Sequence, residues 1–309
     1  MSHGEVAAIF RRPRQEVLLV RHGESYGNVG RGSEGQPGSA AAVLGGPARR
    51  GFDCGLTRLG GRQAWEAGRG RVADFVARAA GQGEREEAPQ SSPSESRGRG
   101  MRRDEGGVGD EDGLGVEGGV LVVVSPLTRA LETAHLMLEG LEAGDADADA
   151  ESGAGSGAGR CSGTRHVRVA VHPLAAEHVL TPGDVGRPRG ELRAEFCGDG
   201  ADEAPARDGG RRRRVHGLLR EALEAEWGCE RWWHRPDAND CARRVLGAKE
   251  SRKTELGRRI RGLLAWIRKQ RETRVVLVGH STWFLAAFPG LKHGNRRLHN
   301  GECVRVPLR

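Results

Sequence analysis

The sequence is poor in the residues that fill a protein core. Aromatic residues make up 4% of its 309 residues and hydrophobic residues 37%, whereas glycine occurs 49 times. A chain that packed its whole length into ordered structure would carry more apolar side chains. The shortfall is concentrated in particular stretches, so we expect a normal core that is interrupted by solvated insertions.

Long hydrophobic runs and paired cysteines are also missing. No stretch approaches the length of a membrane span, and the first residues contain no apolar segment of signal-peptide length. The six cysteines include no CxxC pair and no zinc-like spacing. These absences predict a protein with reduced thiols, without a metal site or a membrane partner. We expect it in the cytoplasm, with the nucleus as the alternative.

Positive charge is in modest excess, with a formal net charge of +7. This excess suits an anionic ligand. Much of the arginine, including the run Arg211–Arg214, lies beside polar low-complexity stretches, and no aromatic residues are interleaved with that run. Nucleic acid is therefore not expected as a partner. A nucleic-acid-binding protein would instead show strongly salt-dependent binding.

Three stretches have a composition typical of disordered loops, at residues 83–117, 143–164 and 198–214. They are too polar to offset the entropy that ordering them would cost. The segments that flank them continue one structural pattern. The sequence therefore predicts a single domain over residues 1–309 that carries these three insertions.

Four apolar runs predict strands. Glu16–Val20, Val120–Val124 and Arg274–Gly279 are continuous runs of Val and Leu, typical of strands that are covered on both faces of a parallel sheet. The run His166–Val171 alternates, which favours a half-exposed strand nearer an edge. Apolar residues at helical spacing fill the regions between these runs. The order of strands and helices predicts an α/β protein with crossover connections.

Arginine and histidine follow three of these runs. Arg21 and His22 come after the first run, Arg129 opens the helix after the second, and His280 follows Gly279. Ligands of α/β sheets bind beyond the carboxyl ends of the strands, so these side chains should meet there. Arginine binds phosphoryl oxygens through paired hydrogen bonds, and a neutral imidazole can attack phosphorus to form phosphohistidine. A second imidazole, protonated, would stabilise the transferring group, and a carboxyl group would protonate the leaving alkoxide.

Several blocks carry a resemblance to a known family. The run RHGES followed by Asn28 resembles the signature of the histidine phosphatase superfamily, also called phosphoglycerate mutase-like. Later blocks resemble that superfamily in its own order, namely GLTRLGGRQA, SPLTRALETA, VGHSTWF and LHNGECVRV. The resemblance implies a three-layer αβα sandwich with a mostly parallel central sheet. It also implies catalysis without a metal or any other cofactor.

The resemblance assigns a role to each candidate residue. His22 corresponds to the nucleophile, and Arg21 and Arg129 correspond to the residues that bind the phosphoryl oxygens. His280 would complete the catalytic pocket. Asn28 resembles the accessory phosphate contact.

The proton donor is assigned to the segment after the alternating strand. There Glu177 resembles the acid/base glutamate of the family, and we expect its neighbour His178 to orient another residue or to face solvent. The loops Ser33–Arg50 and Pro182–Cys197 are expected to determine specificity.

The superfamily includes phosphatases and mutases, which share this core. Glycolytic mutases of the family typically carry a Trp before the Asn of the first motif, whereas this sequence reads SYGN there. The run EHVLTPGDVG and the NGEC ending are more similar to a phosphatase-like branch of plants, fungi and algae. This favours a hydrolase, a phosphomonoesterase that acts on a small phosphorylated substrate or a phosphoprotein. A phosphomutase and a catalytically silent phospho-ligand-binding protein are the alternatives, and the oligomeric state is left open.

Overall fold

A computed structural model describes residues 15–29, 53–79, 119–151, 164, 166–179, 182–197, 209–225, 255–288, 290–291 and 297–308. The insertion predicted at residues 83–117 lies outside these ranges, as does the loop Ser33–Arg50. The predicted division of the chain into one domain with three insertions therefore stays a prediction.

The described residues form one five-stranded sheet with the strand order β3-β2-β4-β1-β5. Strands β1 to β4 run parallel to their neighbours, and β5 runs antiparallel to β1 at one edge. The strands are β1 (Glu16–Arg21), β2 (Val120–Val124), β3 (Val167–Val171), β4 (Arg274–Gly279) and β5 (Cys303–Pro307).

Helices connect the parallel strands and flank the sheet. A π-helical turn, Gly68–Val72, joins the first two helices into one continuous element, and short 3₁₀ turns occur at Pro173–Ala175 and Pro182–Asp184. The α-helices of the described residues are α1 (Arg58–Ala67), α2 (Ala73–Ala79), α3 (Thr128–Glu151), α4 (Arg189–Cys197), α5 (Gly209–Glu224), α6 (Gly257–Arg268) and α7 (Ser281–Ala287).

The two faces of the sheet are covered by different helices. Alternate residues of each central strand point to opposite faces, as Leu18 and Leu19 of β1 do. Leu18 belongs to a core with the apolar residues of α2 to α5, whereas Leu19 belongs to a core with those of α6 and α7. Strands that bury both faces need apolar residues at every position, which explains the unbroken runs of Val and Leu.

Glycine allows two close backbone approaches in this layer of helices. A Cβ atom on Gly140 of α3 would lie 2.3 Å from the carbonyl oxygen of Trp65 in α1. A Cβ atom on Gly23, just after β1, would lie 2.2 Å from the carbonyl oxygen of Gly60. Any larger residue would separate these segments, so the glycines fix α1 against α3 and against the end of β1.

The predicted fold class is confirmed. The sheet is mostly parallel and lies between two helical layers, and the alternating strand β3 lies at its edge as predicted. The strand β5 was not predicted, because the block LHNGECVRV was interpreted only as a family motif. None of the helices in the described ranges is long and apolar enough to cross a membrane.

Two insertion boundaries differ from the prediction. Helix α3 continues to Glu151, so the first part of the insertion that was predicted for residues 143–164 is helical. Helix α5 begins at Gly209, inside the insertion predicted for residues 198–214. The alanines in the first case favour helix strongly enough to continue an established helix through a polar sequence.

Candidate active site

A pocket of about 260 Å³ lies where the carboxyl ends of β1 and β4 meet the beginning of α3. The parallel strands bring their carboxyl ends to the same edge of the sheet, as expected for an α/β fold. The residues that line this pocket are Arg21, His22, Ser25, Gly27, Asn28, Cys54, Arg129, Glu177, His178, Gly183, Asp184, Ser281, Thr282 and Arg297.

His22 follows β1 and is buried, with 4% of its surface exposed. Its Nδ1 atom lies 2.7 Å from the carbonyl oxygen of Gly23. Since a carbonyl only accepts hydrogen bonds, Nδ1 carries the proton, and the lone pair of the neutral ring lies on Nε2. Burial, and then the charges of Arg129 and Arg21, lower the pKa of His22 well below its usual value. The ring is therefore a neutral imidazole suited to nucleophilic attack.

His280 follows β4, and its ring centroid lies 5.1 Å from that of His22. Its Nε2 atom is 2.7 Å from the hydroxyl of Ser125, and its buried Nδ1 atom has no hydrogen-bond partner among the described residues. Burial, followed by Arg129, His22 and Arg21, lowers the pKa of His280 well below its usual value. Burial beside two arginines therefore favours the neutral ring of His280, and protonation of this imidazole during phosphoryl transfer stays a prediction.

Arg21, the last residue of β1, is fixed by the segment that leads to β5. Its guanidinium donates a hydrogen bond to the carbonyl oxygen of Leu298. Its backbone N–H donates to Glu302 and its carbonyl oxygen accepts from Gly301, at 3.0 Å and 3.1 Å. The buried Nε atom of Arg21 has no hydrogen-bond partner among the described residues. This N–H is therefore a donor that an anion in the pocket can satisfy.

Arg129 lies in the first turn of α3, with 5% of its surface exposed. Its guanidinium donates to the carbonyl oxygen of Gly183 at 2.6 Å and to the carboxylate of Asp184 at 3.0 Å. The turn Pro182–Asp184 therefore holds this arginine at the pocket wall and partly neutralises it.

Asn28 closes the loop after β1. Its side-chain oxygen accepts hydrogen bonds from the backbone N–H and the hydroxyl of Ser25, at 3.1 Å and 3.0 Å, and from the side chain of Asn300 at 3.2 Å. The oxygen is thus used to shape the loop. The amide nitrogen is the group of this pocket-lining residue that can donate to an anion.

Glu177 lines the pocket in the segment after β3. One carboxylate oxygen accepts the backbone N–H of His178 at 2.7 Å. Burial raises the pKa of Glu177 to about 7 and outweighs that hydrogen bond and the nearby charge of Arg129. Near neutral pH the group is partly protonated, so it can donate a proton to a leaving group and afterwards act as a base.

A buried polar network supports the pocket from behind α3. The carboxylate of Asp53 accepts the backbone N–H and the hydroxyl of Thr128, each at 2.8 Å. Arg187 donates to the same hydroxyl at 2.7 Å and to Glu195 at 2.6 Å. Asp53 therefore satisfies one of the free N–H groups at the start of the helix, that of Thr128, one residue before Arg129.

The structure brings the six predicted site residues to one place. Arg21, His22, Asn28, Arg129 and Glu177 line the pocket, and His280 packs against His22. Sequence reasoning missed other residues that contact this set or line the same pocket, namely Ser125, Asp184 and Arg297. Of these, Asp184 lies in the loop Pro182–Cys197, which was expected to determine specificity, whereas Arg297 had no sequence signal. Ser125 precedes α3, and its hydroxyl accepts the N–H of Leu127 at 3.4 Å.

Comparison with known proteins gives matches among solved structures alone. No family model matches the chain, and no curated protein matches it. A mycobacterial glucosyl-3-phosphoglycerate phosphatase is 16% identical with a TM-score of 0.38, over 95% of this chain and 90% of that one. The silkworm ecdysone phosphate phosphatase, in complex with tungstate, is 14% identical with a TM-score of 0.40, over 94% and 88% of the two chains.

A third solved structure, an Escherichia coli protein described as a putative alpha-ribazole-5'-P phosphatase, is 14% identical with a TM-score of 0.38. It aligns over 94% of this chain and 89% of that one. Because these identities and TM-scores are low, they do not assign a family or an activity to this chain. The functional proposal below is therefore based on the side chains of the pocket and their hydrogen bonds.

Proposed function

We propose that this protein is a metal-independent phosphomonoesterase of the histidine phosphatase superfamily that works through a phosphohistidine on His22. The observation that carries this proposal is the hydrogen bond between His22 Nδ1 and the Gly23 carbonyl. It leaves the Nε2 lone pair of a buried neutral imidazole beside Arg21 and Arg129 in one pocket. The closer likeness to a plant, fungal and algal branch is part of the proposal and rests on sequence motifs alone.

In the first step, His22 Nε2 attacks the phosphorus atom, and the ester P–O bond breaks as the N–P bond forms. Arg21 and Arg129 bind the non-bridging oxygens and neutralise their charge. Glu177, in its protonated form, gives its proton to the leaving alkoxide. Its pKa, raised to about 7 by burial, supports this role at neutral pH.

In the second step, water attacks the phosphohistidine. Glu177, now a carboxylate, accepts a proton from the water while the N–P bond breaks, which releases inorganic phosphate and restores neutral His22. A bound phosphoryl dianion would also offset the repulsion of His280 by the two arginines and so raise the pKa of His280. The second histidine would then stabilise the transferring group as a cation.

In the proposed mechanism, arginines neutralise the charge of the phosphoryl oxygens, a role that metal ions have in other phosphatases. Three of them, Arg21, Arg129 and Arg297, line the pocket. Their charges favour an anion and oppose the binding of a divalent cation, which supports the metal-independent proposal.

The first experiment is phosphate release from a generic aryl phosphate in the presence of EDTA, with the wild-type protein and the His22→Ala variant. We expect turnover that survives the chelator and falls by at least about 10³-fold in the variant, the range known for loss of a catalytic nucleophile. His166→Ala is the matched control, because His166 is an exposed histidine. Turnover of His22→Ala at the wild-type rate would refute the phosphohistidine mechanism.

A second measurement separates the alternatives. Rapid denaturation of the wild-type protein during turnover should trap an acid-labile phosphoryl group on His22. Tight binding of phosphate without turnover or trapped intermediate would instead indicate a silent phospho-ligand-binding protein. Transfer of the phosphoryl group from the folded protein to an added alcohol rather than to water, measured during turnover, would indicate a phosphomutase.

A further inference from the structure

Ser125 lies between β2 and α3, in direct contact with the second histidine of the site, and the mechanism above assigns it no role. Its buried hydroxyl lies 2.7 Å from Nε2 of His280. The same hydroxyl oxygen accepts the backbone N–H of Leu127 at 3.4 Å. The backbone N–H of Ser125 donates to the carbonyl oxygen of Val278 at 3.1 Å. These contacts fix the hydroxyl against the end of β4, the strand that His280 follows.

The hydrogen bonds around His280 favour one tautomer of its neutral ring. A neutral imidazole has one N–H group and one lone pair. If the hydroxyl of Ser125 donates its proton to Nε2, the proton of the ring lies on Nδ1. In the reverse arrangement the hydroxyl would receive two hydrogen bonds, from Nε2 and from Leu127, and Nδ1 would carry a bare lone pair in a buried position. The first arrangement uses the hydroxyl as both donor and acceptor, so it is the more favourable one.

The Nδ1 atom of His280 is buried and has no hydrogen-bond partner among the described residues. A buried N–H group without an acceptor costs free energy, which a ligand that accepts its hydrogen bond can offset. His280 packs against His22, and both His22 and the next residue along the chain from His280, Ser281, line the pocket. The oxygens of a phosphoryl dianion only accept hydrogen bonds, so the tautomer that complements this ligand is the one with the proton on Nδ1.

We propose that Ser125 is a positioning residue for phosphoryl transfer, because its hydroxyl holds His280 in the orientation and tautomer that direct Nδ1–H at a phosphoryl oxygen. This inference rests on the proposed function of the same pocket and adds a residue to it. A hydroxyl can donate to Nε2 of the neutral ring and accept from Nε2–H of the protonated ring. The Nδ1–H group is therefore kept for the ligand when His280 gains the proton proposed for phosphoryl transfer.

A purely structural role of Ser125 would be to cap α3 through the N–H of Leu127. Thr57 has that role in α1, where its hydroxyl accepts the N–H of Gly60 at 3.1 Å. Thr57→Ala is therefore the matched control for Ser125→Ala, since it removes a capping hydroxyl from a residue that does not line the pocket. Both variants should lose stability, but only Ser125→Ala should alter His280.

NMR of protein that carries ¹⁵N-labelled histidine rings reports the tautomer of His280, and comparison with His280→Gln identifies its signals. In the ligand-free wild-type protein at pH 8 we expect the neutral ring with its proton on Nδ1. Ser125→Ala should show a mixture of tautomers, since the hydroxyl that distinguishes the two nitrogen atoms is missing. Ser125→Thr, which keeps a hydroxyl, and Thr57→Ala should keep the wild-type tautomer.

The affinity for inorganic phosphate, measured by calorimetry, tests whether this tautomer matters to the ligand. Ser125→Ala should bind phosphate more weakly in proportion to the fraction of the Nδ1–H tautomer that is lost, because apparent affinity follows the population of the binding-competent state. We expect a loss of about tenfold, as for one hydrogen bond to a charged group. In the His280→Gln background, Ser125→Ala should have no further effect, since Ser125 acts through His280.

A wild-type ring with its proton on Nε2 would overturn the proposal, and this measurement does not require that Ser125→Ala folds. So would an unchanged tautomer in Ser125→Ala, or a loss of phosphate affinity that is equally large in the His280→Gln background.

None of these measurements needs turnover, which separates this inference from the proposed function. If no phosphate ester were hydrolysed but the tautomer and the affinity changed as expected, the phosphatase activity would fail and the role of Ser125 would stand. If the wild-type protein and Ser125→Ala hydrolysed an aryl phosphate with the same kcat/KM, the phosphatase activity would stand and the role of Ser125 would fail.

Discussion

His22 and His280 lie side by side, but their hydrogen bonds give the two rings different roles. His22 donates from Nδ1 to a carbonyl oxygen, which fixes its tautomer and places the lone pair on Nε2. His280 instead meets the hydroxyl of Ser125, which can donate or accept, so its protonation is free to follow the charge of the ligand. One ring is prepared as a nucleophile, and the other can become a donor when an anion arrives.

At the same scale, Glu177→Gln should reduce the hydrolysis of alkyl phosphates by about 10²- to 10⁴-fold, the usual contribution of a general acid. Aryl phosphates with good leaving groups should be much less affected, since the phenolates that they release need no proton. Because burial raises the pKa of Glu177 to about 7, the acid form is lost above that pH, and kcat/KM for an alkyl phosphate should fall there. Rates at pH 5 to 9 for both esters and both proteins check this.

In that experiment, kcat/KM of Glu177→Gln for the alkyl phosphate should not show the decrease above pH 7 that titration of Glu177 causes. Titration of the substrate's phosphate group affects the rates of both proteins equally. The acidic limb should lie below pH 6.5, since the pKa of His22 is lowered well below its usual value. Equal losses for alkyl and aryl esters, with an unchanged pH profile, would mean that Glu177 only supports the structure of the pocket.

At the scale of elements, the turn Pro182–Asp184 controls Arg129. Asp184→Asn keeps an acceptor oxygen for the guanidinium but removes the negative charge that competes with a phosphoryl group. We expect inorganic phosphate to bind up to about fivefold more tightly in this variant, as measured by calorimetry. Glu191→Gln, an exposed acid in the first turn of α4, is the control and should leave the affinity unchanged. Weaker binding in Asp184→Asn would show that the charge of Asp184 is needed to position Arg129.

Helix α3 also carries a buried acid outside the pocket. Glu132 accepts the backbone N–H of Leu56, and burial raises its pKa to about 8. The folded state therefore holds a proton that the unfolded chain releases near its ordinary pKa. Stability should fall as the pH rises between about 4.5 and 8, at up to about 1.4 kcal/mol per pH unit from this group.

Glu132→Gln should flatten that dependence, because glutamine has no charge to bury. The melting temperatures of the variant and the wild-type protein at pH 5 to 8.5 measure this pH dependence of stability. Glu224→Gln, which replaces an exposed glutamate, is the control. Identical pH dependence of the melting temperature in the wild-type protein and Glu132→Gln would show that Glu132 is ionised in the folded state.

The sequence predicted these elements unequally, for physical reasons. Strands β1, β2 and β4 were recognised because burial on both faces requires apolar residues throughout. Strand β5 lies at the edge, where Arg305 and Pro307 are exposed, so its pattern is weak. Arg129 could be found because it opens the helix that follows β2. Asp184 was included only as part of the loop Pro182–Cys197 and Arg297 was not found, since what places them at the pocket is contact with residues far away in the chain.

At the scale of the whole molecule, the pocket is assembled from parts of the chain that meet only after folding. Residues 21–28, 129, 177–178, 183–184, 280 and 297 are brought together by the parallel sheet and the segment before β5. An anion that binds there should therefore bind the folded state and not the unfolded chain. Such binding stabilises a protein according to the ratio of ligand concentration to Kd.

Vanadate or inorganic phosphate should thus raise the melting temperature. At a ligand concentration of 100 times Kd the stabilisation is about 2.7 kcal/mol, which corresponds to a rise of several degrees for a domain of this size. Scanning calorimetry at constant ionic strength, with chloride as the reference anion, measures the rise. Arg129→Lys keeps a positive charge but not the paired hydrogen bonds, so we expect a smaller rise, and Arg129→Gln should show almost none.

The His22→Ala variant provides the opposite comparison in the same experiment. Its arginines remain, so it should still be stabilised by phosphate although it cannot form the phosphohistidine. A protein that loses turnover but keeps the rise in melting temperature has lost the nucleophile and not the pocket. If phosphate raised the melting temperature of Arg129→Gln as much as that of the wild-type protein, the anion would bind elsewhere, and Arg129 would have no part in binding the phosphoryl group.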